Sequence, residues 1–170
     1  LGYDVSTYLD WNNSLLGWYS FEYYNSSHVF DNSSYGNNGT FLDTGFDSDN
    51  ITTGKMGSGM NFDSANGYVD LGNFQSLAGA SELTMTLWMY PNTLPTVSGD
   101  NDGILIQQDD WTNQFGIRFD GLDETLTAYV ENSGTSAPLN IIYGGNLTVD
   151  NWYHVAFTFD SGNVSLYLDG

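Results

Sequence analysis

Residues 151–170, at the carboxyl end, constrain the fold more than any other stretch of the sequence. Large apolar residues alternate with smaller or polar ones in two runs, first at Tyr153, Val155, Phe157 and Phe159, then at Val164, Leu166 and Leu168. The polar stretch 160–163, which contains Gly162, separates the two runs. Alternation around a Gly-containing turn predicts a β-hairpin. Since a lone hairpin is marginally stable, the pattern also predicts more sheet upstream.

Short runs of the same kind recur along the chain and no segment has a capped helical period. We predict strands at 15–22, 40–42, 60–62, 68–71, 82–90, 103–107, 114–119, 125–130 and 139–143. The polar stretch 43–59 is interpreted as a loop, and 64–67 as the turn of a hairpin. The sequence therefore predicts an all-β, two-sheet antiparallel sandwich over residues 15–170, preceded by an arm or linker at 1–14.

The net charge of the chain limits the classes of partner that it can bind. Lys and Arg together number two, whereas Asp and Glu together number 21, so the net charge is -19. This excess repels nucleic acid and anionic lipid and attracts cations that prefer oxygen ligands. We therefore expect no nucleic-acid partner. The sequence has no cysteine, and no apolar run has the length of a membrane span.

Seven Asn-x-Ser/Thr acceptor sites favour a secreted or cell-surface glycoprotein. They begin at Asn12, Asn25, Asn32, Asn38, Asn50, Asn146 and Asn163. The alternative is that a chain rich in Asn and Ser forms such triplets by chance.

Five segments in order resemble the laminin-G-like branch of the concanavalin A-like lectin/glucanase superfamily. They read GWYSFE at 17–22, DNSSYGNNGTF at 31–41, GKMGSGMNFDSANGYVDLGN at 54–73, SELTMTLWMYPN at 81–92 and WYHVAFTFDSGNVSLYLDG at 152–170. The resemblance implies a two-sheet jelly roll used as a carbohydrate- or protein-binding module of extracellular proteins. Its members continue past the YLDG hairpin into a final strand, so we expect a longer polypeptide or a strand supplied by a neighbouring subunit.

The resemblance also implies a structural Ca²⁺ near the end of the first strand and a Gly/Asn-rich loop. The matching positions are Glu22, Asp31, Tyr35, Gly36, Asn37 and Asn38. Carboxylates, amides and backbone carbonyls are ligands that Ca²⁺ accepts. The alternative is that Asp31, Asn32 and Asn38 cap turns. A glycan on Asn38 would compete with its use as a ligand. Asp63 and Asp70 are further candidate metal ligands or solvated turn residues.

Sugar binding needs exposed aromatic rings with polar neighbours. The candidates on strands or loops are Trp88, Tyr90, Trp111, Tyr129 and Tyr143. Trp88 and Tyr90 share one face of the strand at 82–90, and Trp111, in a polar loop, is the ring most expected to be exposed. Packing in the sandwich core is the alternative for each ring.

Catalysis has little support in the sequence. Glycosidases of the superfamily that the chain resembles carry the motif Glu-x-Asp-x-Glu or Glu-x-Asp-x-x-Glu. The chain has neither motif. We expect a non-enzymatic extracellular domain. Two hypotheses remain, a calcium-dependent, lectin-like module that binds glycan and a surface-assembly subunit that contacts other surface proteins or copies of itself. An exposed aromatic cluster on one sheet face would favour the first.

Overall fold

The computed structural model describes residues 14–63, 66–74, 77, 80–95, 101–110, 113–120, 125–131, 139–143 and 147–170. Residues 101–102, 107–110, 113, 120 and 139–143 are described by their backbone alone. The chain divides into two compact units, residues 1–75 and residues 76–170. The assignment of residues 15–170 to one domain stays a prediction. The described residues contain no helix with the length and hydropathy of a membrane span.

The first unit contains two small antiparallel sheets. One has the order β1-β2-β5, with β1 at His28–Val29, β2 at Gly39–Leu42 and β5 at Tyr68–Asp70. The other is the hairpin of β3, Ile51–Thr53, and β4, Ser58–Met60, which follows a 3₁₀ turn at Ser48–Asn50. The buried hydrophobic cluster of the first unit consists of Val29, Phe41 and Phe46.

The second unit is a two-sheet antiparallel sandwich. One sheet has the order β12-β11-β6, with β6 at Glu82–Met89, β11 at Tyr153–Asp160 and β12 at Asn163–Leu168. The other has the order β10-β9-β8-β7 and comprises β7 at Asn101–Asp110, β8 at Asn113–Asp120, β9 at Thr125–Glu131 and β10 at Leu139–Tyr143. The core combines residues of both sheets, among them Val155, Phe157, Ile117, Leu126 and Ala128. The predicted all-β sandwich is therefore confirmed.

The predicted carboxyl-terminal hairpin is confirmed, and the structure gives its register. β11 pairs with β12 from Val155 opposite Leu168 to Asp160 opposite Asn163. Ser161 and Gly162 form the two-residue turn with φ of 49° and 95°. Positive φ at both positions is the type I′ geometry, whose twist matches that of the flanking strands.

The predicted strand at 15–22 is wrong. Residues 14–23, all of which the structure describes, contain no strand. The backbone groups of this segment bond to side chains and to the loop that follows, where the Asn32 N–H donates to the Trp18 carbonyl at 2.7 Å. The Trp18 N–H donates to Asp31 Oδ1 at 2.8 Å, and the Leu16 carbonyl accepts from Asn37 Nδ2 at 2.7 Å. Phe21 has a φ of 59°, which also breaks an extended run.

Two interpretations of the region 43–71 are also wrong. The predicted loop at 43–59 contains β3 and most of β4, closed by a bond from the Gly54 N–H to the Gly57 carbonyl at 2.8 Å. The strands on either side of 64–67 do not form a hairpin with each other. β4 pairs with β3, whereas β5 pairs with β2, Thr40 lying opposite Asp70. The Gly-containing turn at 54–57 pairs β4 with the strand before it.

Candidate functional site

The Asp31 carboxylate organises the Gly/Asn-rich loop of the first unit. Its Oδ1 accepts from the backbone N–H groups of Trp18 and Ser33, both at 2.8 Å. Its Oδ2 accepts from the Ser33 hydroxyl at 2.6 Å and the Asn37 N–H at 2.9 Å. Two carboxylate oxygens offer about four lone-pair positions, so four donors use the acceptor capacity of this group.

Asn37 and Asn38 continue the same network. Asn37 Nδ2 donates to the Leu16 carbonyl, and the Asn37 carbonyl accepts from the Tyr19 hydroxyl. Asn38 Oδ1 accepts from the Asp31 N–H at 3.0 Å. Burial raises the pKa of the Tyr19 hydroxyl, and the nearby negative charge of Asp31 raises it further. The hydroxyl therefore stays protonated as a donor through the neutral range.

Glu22 contacts a different part of the first unit. Its Oε1 accepts from the Ser58 N–H in the β3–β4 hairpin. A Cβ added to Gly57, whose φ is +65°, would lie 2.0 Å from the same oxygen, so a side chain there would displace this carboxylate. The structure thus places Glu22 on the hairpin, while Asp31 binds its own loop.

Asp63 and Asp70 each accept from local donors. Asp63 accepts from Asn50 Nδ2 at 2.7 Å and from Asn61 Nδ2 at 3.1 Å. Asp70 Oδ1 accepts from the Gly72 N–H at 2.8 Å. They lie on separate segments, Asp63 after β4 and Asp70 at the end of β5.

The acidic residues of this region do not form one cluster. Among the described residues, no group of three or more His, Cys, Asp or Glu side chains could hold a metal ion. Protein donors fill the acceptor positions of Asp31, and a Ca²⁺ ion would have to displace some of them. These bonds match the turn-capping alternative. Calcium binding at Glu22, Asp31, Tyr35, Asn37, Asn38, Asp63 and Asp70 stays a prediction.

The five described glycan acceptors differ in exposure and in the use of their amide nitrogen, to which a glycan attaches. Asn50 Nδ2 donates to Asp63, and Asn163 Nδ2 donates to the Asp160 carbonyl at 3.2 Å. Asn32 is half-buried, and its Oδ1 accepts from the Ser20 hydroxyl. Asn25 and Asn38 are exposed, and among the described residues nothing accepts from their Nδ2. Asn12 and Asn146 lie outside the described residues.

The outer face of the sheet β12-β11-β6 carries a cluster of aromatic rings. Trp88 lies opposite His154, with ring centroids 5.1 Å apart and ring planes at 59°. At the adjoining position, Tyr90 and Trp152 form a second tilted pair with centroids 5.3 Å apart. Tyr167 of β12 lies opposite Ala156 of β11 on the same face. We call these five aromatic residues, together with Thr86, Ala156 and Asp169, the aromatic face.

The rings of the aromatic face are accessible to solvent, although aromatic side chains are usually packed in the core. Trp88 is 40%, Tyr90 41% and Tyr167 46% exposed. The opposite side of the same strands supplies the core through Val155 and Phe157, which are fully buried. The alternation of the strands thus separates buried apolar residues from an exposed aromatic surface.

Hydrogen-bonding groups lie among these rings. Thr86 Oγ1 and His154 Nε2 are 2.8 Å apart. The His154 N–H donates to Asp169 Oδ1 at 2.9 Å, which leaves Asp169 Oδ2 without a donor among the described residues. An exposed patch that combines planar rings with fixed polar groups can hold a ligand with one apolar and one hydroxylated side.

The structure therefore brings together two of the predicted ligand residues, Trp88 and Tyr90. Tyr129 is buried, contrary to its place among the candidates, and Tyr143 is described by its backbone alone. Trp111 lies outside the described residues. Sequence reasoning missed Trp152, His154 and Tyr167. Their signal was present, since Trp152 and His154 alternate with the buried residues of β11, but the pairing of β11 with β6 is not local and cannot be seen in the pattern.

Comparison with known proteins supports this architecture. Residues 63–170 match the sequence model of the concanavalin A-like lectin/glucanases superfamily, in its laminin-G-like branch. No curated protein and no solved structure matches the chain. The match includes β5 and the whole two-sheet sandwich, and it spans well over half of the chain. This chain belongs to the concanavalin A-like lectin/glucanase superfamily.

Proposed function

We propose that this chain is a non-catalytic extracellular binding domain and that its aromatic face binds carbohydrate. The observation that carries the proposal is the exposed pair of cross-strand ring contacts, Trp88 with His154 and Tyr90 with Trp152. Exposed apolar patches of this kind are uncommon on soluble proteins unless they bind something. The family, whose members include lectins, is in keeping with this use.

The chemistry of the face suits a sugar better than a purely apolar ligand. A pyranose ring has an apolar side formed by C–H groups and a rim of hydroxyls. The aromatic rings can pack against the apolar side, as they pack in protein interfaces. Thr86, His154 and Asp169 supply donors and acceptors to the hydroxyls.

Surface assembly is the second candidate, because an exposed aromatic patch also suits a protein partner or a second copy of the chain. The fixed polar groups between the rings favour glycan instead. The extracellular setting is part of the proposal and is supported by the seven acceptor sites for glycosylation. The absence of paired carboxylates in glycosidase spacing supports a non-catalytic role.

Binding to a panel of polysaccharides, followed by affinity electrophoresis or calorimetry, tests the proposal. Truncating an aromatic anchor of a binding site costs about 2 kcal/mol, which corresponds to about 30-fold in affinity. We therefore expect Trp88→Ala to lose about 30-fold in affinity, and Tyr167→Ala to weaken binding as well.

The matched control is Trp18→Ala, since Trp18 is also 40% exposed but lies in the first unit. It should bind like the parent chain. Circular dichroism checks that each variant is folded. Equal losses in the Trp18 and Trp88 variants, or oligomers of the parent chain that dissociate in Trp88→Ala, would reject the glycan site in favour of another surface or of assembly.

A further inference from the structure

We infer that the ligand of the aromatic face is a neutral, extended polysaccharide segment that carries no carboxylate or sulfate. This inference rests on the proposed function and adds the ligand class. It is drawn from the length of the face, the hydrogen-bonding capacity of its polar groups and the positions of the described charged residues on its sheet.

The face is long in the direction of the strands. The Trp88–His154 pair lies within β6 and β11, and the Tyr90–Trp152 pair lies one residue beyond the ends of these strands. The pairs Thr86 with Ala156 and Thr84 with Thr158 continue the row on the same face. Strands rise about 3.3 Å per residue, so the row from Tyr90 to Thr84 covers about 20 Å. That length suits several consecutive sugar rings and exceeds what a single ring can cover.

The small side chain at the centre of the row widens it toward β12. Ala156 lies between Thr86 on β6 and Tyr167 on β12. Because the Ala156 side chain is only a methyl group, it leaves a shallow depression between the Trp88–His154 pair and the Tyr167 ring. An extended chain can therefore contact both.

The Thr86–His154 pair offers the same hydrogen bonds in either tautomer of the neutral ring. If Nε2 donates to Thr86 Oγ1, the threonine hydroxyl proton, one lone pair of Oγ1 and the acceptor Nδ1 remain for a ligand. If the threonine donates, Nδ1–H and both lone pairs of Oγ1 remain. One donor and two acceptor positions are left in both cases, so a ligand hydroxyl group can both give and take a hydrogen bond here.

The charges of the face are all negative. Glu82 and Asp160 lie opposite each other at one end of the row, and Asp169 lies beside His154. Arg118 is the one Lys or Arg in the sequence of the second unit, and it belongs to the other sheet. Its guanidinium lies 4.6 Å from the centroid of the Tyr129 ring. Within the second unit, an anionic glycan on the face would therefore meet carboxylates and no basic side chain of its own sheet, so the face selects against it.

Paired polymers that share a backbone test the ligand class. Each neutral polysaccharide, for example hydroxyethyl cellulose, dextran or galactomannan, is compared with its carboxymethylated derivative of the same length. We expect at least one neutral polymer to bind on the order of tenfold more tightly than its anionic derivative at 10 mM salt, where the screening length is about 30 Å. The ratio should shrink toward one as salt is raised.

A charge-neutralised variant assigns the selectivity to the face. Glu82→Gln, Asp160→Asn and Asp169→Asn combined should reduce the tenfold ratio at low salt to about threefold or less. The same three changes at exposed acids of the first unit, Asp43→Asn, Asp49→Asn and Asp63→Asn, alter the net charge equally and should leave most of the ratio in place.

The possible outcomes separate the two proposals. Anionic polymers that bind as tightly as neutral ones, with Trp88→Ala still weakening both, would overturn the neutral ligand class and leave carbohydrate binding standing. Binding of no polymer in either form would overturn both proposals. An equal loss of the ratio in both triple variants would show that net charge, and not the aromatic face, sets the selectivity.

Discussion

A single carboxylate holds much of the first unit's long loop in place. Asp31 accepts four hydrogen bonds from Trp18, Ser33 and Asn37, and the Tyr19 hydroxyl closes the same network on the Asn37 carbonyl. Hydrogen bonds to a charged acceptor are stronger than neutral ones. Segment 16–20 is therefore attached to the loop through side chains.

Tyr19→Phe tests this network and its dependence on pH. Losing the hydroxyl bond to Asn37 should lower the free energy of unfolding by about 1 kcal/mol at neutral pH. The pKa of Tyr19 is raised in the folded state by burial and by the charge of Asp31. The unfolded chain loses this proton near the ordinary tyrosine pKa of about 10, before the folded chain does. The free energy of unfolding of the parent chain should therefore fall as pH rises above that value.

Because the phenylalanine variant lacks this proton, its disadvantage should shrink above pH 10. Urea unfolding at neutral pH and at about pH 10.5 measures the difference, and the shared contribution of Tyr129 cancels. Tyr23→Phe is the control, since Tyr23 is 61% exposed. A disadvantage that is the same at both pH values would contradict the protonated donor at Tyr19.

At the scale of strands, local pairing could be predicted and distant pairing could not. The β11–β12 hairpin, the strand at β6 and the shared face of Trp88 and Tyr90 followed from alternation. The segment 15–22 alternates as well, yet it pairs with no strand among the described residues. Its Trp18 N–H and Leu16 carbonyl bond to side chains of Asp31 and Asn37, and its Trp18 carbonyl accepts from the Asn32 N–H in a loop. Alternation shows which residues can share a face, but it does not show where the backbone hydrogen bonds go.

The candidate site was predictable to the same extent. Trp88 and Tyr90 were identified as a pair because alternation places them on one face of their own strand. Trp152, His154 and Tyr167 join them through the pairing of β6 with β11 and of β11 with β12. The loop carboxylates Glu22 and Asp31 were expected together, but each is held by donors from a different segment, Ser58 for one and Trp18 for the other.

Two carboxylates lie directly opposite each other at one end of the β6–β11 pairing. Glu82 lies opposite Asp160. Like charges in such positions are destabilising by amounts of about 0.2–1 kcal/mol. We expect Glu82→Gln to raise the free energy of unfolding by about this amount, as urea unfolding at low salt would show.

Asp160→Asn should give a similar gain, and the double variant should gain less than the sum, because either change alone removes the repulsion. The gain should also shrink in about 1 M salt. Strictly additive gains, unaffected by salt, would show that the two carboxylates do not interact.

The whole molecule has a net charge of -19, which would favour cations in general even without a specific site. A calcium titration separates the two effects. Because protein donors already fill the acceptor positions of Asp31, we expect calcium to raise the melting temperature no more than magnesium does at equal ionic strength. A saturable rise specific to calcium would show that the ion binds the folded chain and displaces some of these bonds.

The pairing of β6 with β11 has a consequence for how the chain folds. Thr86 and His154 lie 68 positions apart, whereas the turn at Ser161 and Gly162 joins β11 to β12 directly. Closing a short loop loses less chain entropy, so we expect the hairpin to form first and β6 to dock later. In that order, Trp88 and His154 come into contact only when β6 docks. Quenching of Trp88 fluorescence by His154 would then report a late stage of folding, and a chain without docked β6 would expose Trp152 and Tyr167 but lack the Trp88 ring beside them.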